Sequence, residues 1–295
     1  MKLVILLYCL GIEILTLKDL TKKDNDSINY ILYSYKDIEN NPIQNATLAK
    51  FNNKCILDDL EYKHIEITRE CIELFCFCAL SNRNIFSHFY NYNNSDCFIS
   101  YRQKFIGIPD HIGLAYRRKY GTSIDGRNIS EVSFSCPVHV NNIGFICIDL
   151  NLLNSLIKRR SDKKSSDWHR WLSSISCYNM ANTDNHAARP QVEWILLCGA
   201  FEHLLNAKAN NKNVAEKFES SLKISESLKY RESKRLRRGY SGDDRSLRYE
   251  WMKEFYRIRG DFAHGKTSTR QDMSWSTLEH LSLATYVFPL MVKSI

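Results

Sequence analysis

From Trp168 to the end, the chain spaces its large apolar residues three and four positions apart, and that period commits this half to helices. Five segments carry it: DWHRWLSSISCYNMA (167–181), RPQVEWILLCGAFEHLLNAK (189–208), NVAEKFESSLKISESL (213–228), DDRSLRYEWMKEFYRIRGDFAHG (243–265) and MSWSTLEHLSLATYVFPLMV (273–292). Pro190 suits the first turn of the second, and Asp243 or Asp244 can cap the fourth. On the second segment Trp194, Leu197, Cys198, Phe201, Leu204 and Leu205 form one apolar face, and on the fourth Leu247, Trp251, Phe255, Ile258 and Phe262 form its counterpart. Glu202 and Arg259 fall at the edges of these faces. A carboxylate there is costly unless a cation meets it, so Glu202 and an arginine of the fourth segment are expected to pair across antiparallel helices.

The first half reads differently. LVILLYCL, IEILTL, SINYILYSY, EVSFSCPV and IGFICIDL have the β-branched and aromatic content of strands, set among Asn-rich loops. ITRECIELFCFCAL suits either a helix capped by Thr68 or a strand. The fold class expected is therefore α+β: a mixed, β-rich N-terminal region over 1–155, then an all-α bundle over 166–295. The polar, basic IKRRSDKKSSDW (157–168) marks the domain boundary, or a loop before the next helix.

Eleven Gly and five Pro in 295 residues, with 44% hydrophobic and 25% charged, exclude a disordered or collagen-like chain. The ten cysteines lie between Cys9 and Cys198, several in apolar runs, which suits buried reduced thiols better than a disulfide framework. In MKLVILLYCLGIEILTL, Glu13 interrupts the apolar run and no small-x-small cleavage site follows, so two short strands joined at Gly11 fit better than a signal peptide. The apolar run is too short for a membrane span. A cytoplasmic protein is expected. Cys136-x-x-His139 and Cys76-x-Cys78 lack a second pair at zinc-finger spacing, and no P-loop, G-x-G-x-x-G or Gly-x-Ser-x-Gly occurs; no metal and no cofactor are expected.

The net charge of +8 favours a polyanionic partner. YRESKRLRRGYSGDDR (230–245) concentrates Lys234, Arg235, Arg237 and Arg238 with Tyr230 and Tyr240, a mixture that holds phosphates and stacks on unpaired bases; a solvated loop has the same composition. Trp168, His169 and Trp171 suit the start of a packed helix.

The densest chemistry is EFYRIRGDFAHGK (254–266). Arg259 can hold a phosphate with its fork, and His264 titrates near neutrality. On one straight helix a step of five places the two about 140° apart, too far to converge on a small ligand from one face. Gly260 weakens the helix by about 1 kcal/mol and Gly265 can end it, so His264 is expected on the last, loosened turn. Without a metal, this pair suits RNA cleavage by a 2′-hydroxyl, one group moving a proton and the other neutralising the phosphorane. Alternatively, Arg259 pairs with Glu202 or Asp261 and His264 caps its helix.

WILLCGAFEHLL and EFYRIRGDFAHGK together resemble the HEPN superfamily of higher-eukaryote and prokaryote nucleotide-binding domains, and most its Apea-like branch, over roughly residues 168–290. Phe201, Glu202, Leu204 and Leu205 match the branch's first helix motif, and Tyr256, Arg259, His264 and Gly265 its closing one. The resemblance implies a helical bundle that forms a homodimer, with two such motifs facing a shared metal-independent RNA-cleaving cleft. Many such proteins are toxins or antiviral, abortive-infection effectors of bacteria, with a phage-derived trigger, an antitoxin or an accessory protein as further partners. By position, Arg259 and His264 would be catalytic, with Glu202, Asp261, Tyr256 and Arg257 supporting. Three departures stand out. Gly260 follows the motif arginine where active members often carry Asn, Asp or His; Lys266 replaces the tyrosine that is AMPylated in one variant; and Arg257 offers a second, longer spacing to His264.

Overall fold

The structure is a computed structural model. It describes residues 62–81, 149–162, 165–182, 189–222, 228–235, 244–263 and 273–295, with short backbone segments between 5 and 136; the side chains of those segments, and of 62–69, 72, 162 and 165, lie outside the description. Its helices are α1 (Tyr62–Leu80), α2 (Leu150–Asp162), α3 (Ser165–Ala181), α4 (Pro190–Leu205), α5 (Asn211–Ser221), α6 (Leu247–Ala263) and α7 (Thr277–Ser294), with a 3₁₀ turn at Tyr230–Glu232.

The α+β expectation is corrected. Over the residues described with their side chains, 82% are helical, with no strand and no sheet among them. The physical reason is visible at its N-terminal end, where the apolar run that a period of two also accommodates is used by a helix: Leu74 and every residue from Cys76 to Leu80 are buried along α1. Thr68 falls inside that helix instead of capping it. Within IKRRSDKKSSDW, residues 157–162 end α2 and residues 165–168 begin α3. Leu152, Leu153, Leu156 and Ile157 recur at helical spacing and are buried, which carries α2 through to Asp162.

The chain divides into two compact units, Met1–Phe75 with Asn94–Ser161, and Cys76–Asn93 with Asp162–Ile295. In the first, Arg160 of α2 forks onto Glu70 of α1, Nε to Oε1 at 2.9 Å and Nη2 to Oε2 at 3.0 Å.

The second unit is built on aromatic side chains. α4 and α6 run antiparallel: Trp194 lies against Phe262 and Phe255, and Phe201 against Phe255 and Trp251, at centroid distances of 4.9–6.4 Å. Most of these contacts are edge-to-face, the arrangement that ring quadrupoles favour. The Trp194 indole also donates to the Phe255 carbonyl at 2.8 Å, so a buried N–H is satisfied and the two helices are fixed lengthwise. Phe77, Tyr178 and Phe288 close a second layer, with Phe77 edge-on to both partners.

Helix ends explain where the elements stop. Asn210 caps α5, accepting from the Lys212 and Asn213 amides. Ser276 and Glu279 form a reciprocal capping box on α7. α4 ends at Asn206 in the left-handed region, φ 48°. Its last carbonyls accept from Arg170 and Lys217, cations where the helix dipole is negative. The cap of α6 is Ser246, whose hydroxyl accepts from the Tyr249 amide at 3.2 Å, in place of the expected Asp244; Asp243 lies outside the described residues.

Candidate functional site

Glu202, Tyr256 and Arg259 converge where α4 and α6 face each other. Glu202 lies near the C-terminus of α4, where its charge opposes the helix dipole and needs a cation. Tyr256 and Arg259 stand three apart on α6, hence on neighbouring faces. The Tyr256 hydroxyl donates to Glu202 Oε2 at 2.7 Å and accepts from Arg259 Nη1 at 2.6 Å. Arg259 Nη1 lies 3.2 Å from Glu202 Oε2, and the guanidinium carbon sits 5.1 Å from the centre of the Tyr256 ring.

Tyr256 is buried, while the side chains of Glu202 and Arg259 keep 25% and 31% of their accessibility. Burial first, then the hydrogen bond to Glu202, pushes the Tyr256 phenol well above its ordinary pKa, against the opposing pull of Arg259. It therefore stays protonated at neutral pH, as its donor role requires. Burial likewise raises the thiol of Cys198, the neighbour beneath, which is a packing residue and no thiolate nucleophile.

Arg257 and Asp261 pair with each other at 3.5 Å across one turn, on the opposite side of α6 from Arg259. Of the two motif arginines, Arg259 is thus the one that meets Glu202. His264, with Gly265 and Lys266, lies outside the described residues. Gly260 does not loosen the helix: α6 runs through it to Ala263, and a Cβ added there would meet nothing within 4 Å.

The basic segment divides. Lys234 is exposed. Arg235 is engaged in the fold, its Nη1 3.1 Å from Glu279 Oε2, and that pair draws the Glu279 carboxyl down to about 2. Tyr230 is buried, stacked on Trp275 and bonded to the Arg235 carbonyl and Ser274 hydroxyl, so it is not available to stack on a base. Arg237, Arg238 and Tyr240 lie outside the described residues. Trp168 and Trp171 are buried and His169 exposed, as in a packed amphipathic helix.

One polar cluster has no counterpart in the sequence reading. Glu254 is buried and accepts from the Ser274 amide (2.8 Å), the Trp275 amide (3.2 Å) and His280 Nε2 (3.0 Å). His280 is wholly enclosed among Trp194, Trp251, Phe255 and Trp275, and its Nδ1 has no hydrogen-bond partner among the described residues. Burial lowers the pKa of His280 despite Glu254, so the ring is neutral and Nε2 carries the proton that Glu254 accepts. The signal was present: His280, Ala284, Phe288 and Met291 share a helical stripe, which places a histidine in the core.

Among the described residues no group of three or more His, Cys, Asp or Glu could hold a metal ion, and no helix is long and apolar enough to cross a membrane. Compared with family models, with curated proteins and with solved structures, the chain matches none.

Proposed function

We propose that the protein is an endoribonuclease of the HEPN type, working without a metal in bacterial antiviral defence or as a toxin. The observation that carries the reading is the Glu202, Tyr256 and Arg259 cluster, which fixes a motif arginine at a partly accessible edge five positions ahead of His264. In this chemistry an RNA 2′-hydroxyl loses its proton and attacks the adjacent phosphorus, and the 5′-oxygen leaves with a proton, giving a 2′,3′-cyclic phosphate. Arg259 stabilises the charge that builds on the phosphorane, and His264 transfers a proton. A homodimer supplies two such motifs to one cleft, and the net charge of +8 suits an RNA partner.

The test is RNA cleavage in EDTA by the wild type beside Arg259→Ala and His264→Ala, with the product ends identified. Cyclic phosphate ends that disappear in both variants are expected. Full cleavage by a folded His264→Ala protein sinks the reading. A second reading, a module that binds RNA or a nucleotide without cutting it, is favoured by Gly260, which leaves the position after Arg259 without a polar side chain. It predicts RNA affinity that depends on Arg259, with the RNA left intact.

A further inference from the structure

The guanidinium of Arg259 meets both of its partners through one nitrogen. Nη1 donates to the Tyr256 hydroxyl and faces Glu202, and among the described residues Nε and Nη2 have no hydrogen-bond or ion-pair partner. Nε–H and Nη2–H are the parallel donors of the side-on fork, and Nη1 lies outside that edge. Elsewhere in the chain Arg160 shows the edge in use, with Nε and Nη2 on the two carboxylate oxygens of Glu70. In Arg259 the anchoring contacts take the nitrogen that a fork does not need.

Two partners divide the work of anchoring. Glu202 supplies charge, which is not directional and would hold the guanidinium by either edge. The Tyr256 hydroxyl supplies direction, because it is buried, already commits its proton to Glu202, and leaves a lone pair for Nη1. The helix surface alongside is clear, since Gly260 carries no side chain and the space where one would stand is open.

We infer that Tyr256 is a positioning residue: it holds Nη1 so that the Nε–Nη2 edge of Arg259 is presented as a fork for the two non-bridging oxygens of an RNA phosphodiester. This deepens the ribonuclease reading and rests on it for the identity of the ligand. The fork itself is a property of the protein that can be measured without cleavage.

The experiment uses the full chain with ¹⁵N-labelled arginine and inorganic phosphate as the probe. The Nε–H resonance of Arg259, assigned by its absence in Arg259→Lys, is followed through a titration. A saturable shift is expected in the wild type. Tyr256→Phe, with its amide spectrum otherwise native, should weaken the phosphate response by about tenfold or more. Glu202→Gln, which keeps an acceptor for Tyr256 but removes the charge, should not weaken it. If Tyr256→Phe does not fold, calorimetry on Arg259→Lys takes its place: the charge without the fork must lose phosphate affinity by a similar factor. No shift in the wild type, equal affinity in Tyr256→Phe, or equal weakening in Glu202→Gln overturns the inference. RNA cleavage is scored separately. A phosphate response in a protein that never cuts RNA removes the ribonuclease reading and leaves the fork standing, whereas cutting with no such response does the reverse.

Discussion

Replacing Glu254 by leucine removes the acceptor that three buried donors share. The Ser274 amide, the Trp275 amide and His280 Nε2 all point at Oε1, and the Ser274 amide also reaches Oε2, at 3.1 Å. Leucine is of similar size, so little volume is lost and the effect is polar. Leaving a buried donor unsatisfied costs about 1–3 kcal/mol, and His280 is wholly enclosed among aromatic rings. Allowing for partial relaxation at the two amides, the sum is about 4 kcal/mol. For a unit of this size that lowers Tm by about 8–16 °C. Glutamine should be far milder, about 1–2 kcal/mol, because its carbonyl oxygen can occupy the Oε1 position and keep all three bonds. Urea melts followed by tryptophan fluorescence report both, since Trp251 and Trp275 lie against His280. A leucine variant within about 1 kcal/mol of wild type, or one no worse than glutamine, would refute the reasoning.

Gly260→Ala should raise stability by about 0.5–1 kcal/mol, because the helix is regular there and the new methyl meets nothing; a lowered thermal midpoint would show that the backbone is not helical at that point. Glu202→Ala should cost no more than about 1 kcal/mol in a denaturant melt, the pair being partly exposed, and, because it removes the acceptor that holds the Tyr256 hydroxyl, it should lower RNA cleavage under the ribonuclease reading; a much larger loss of stability would make the pair structural. Glu279, whose folded pKa is depressed from 4.5 to about 2, contributes stability that is present above pH 4.5 and is lost as the pH falls toward 2. Stability curves of Glu279→Gln and wild type should therefore converge in acid, and parallel curves would contradict that assignment.

The packing of α4 was readable because each large apolar residue at a three or four step had somewhere to go: Trp194, Leu197, Cys198, Phe201, Leu204 and Leu205 are all buried. The Glu202 and Arg259 pair was readable for the complementary reason, that charges at the edges of two apolar faces must be neutralised. α6 was read less fully. Tyr249 and Met252 are buried beside its stripe, and Glu254 is buried within the core, a position that only the loop at Ser274 and Trp275 makes affordable by supplying amides. Nothing local to Glu254 announces those donors. The first half failed for a different reason. The run LFCFCAL (74–80) is apolar at every position, and a continuous run carries no period to choose between helix and strand.

Phe77 stands edge-on to both Tyr178 and Phe288, although α1 and α7 lie near opposite ends of the described chain. During synthesis α1 emerges before both partners, so Phe77 stays incompletely covered until α7 has left the ribosome. The later of the two partners, α7, is thus the one that closes this layer, and until then the nascent chain offers an aromatic surface to chaperones. Excising 162–295 as a separate domain would leave Tyr178 and Phe288 with the same uncovered face, so the helical half should be expressed together with the stretch that carries Phe77.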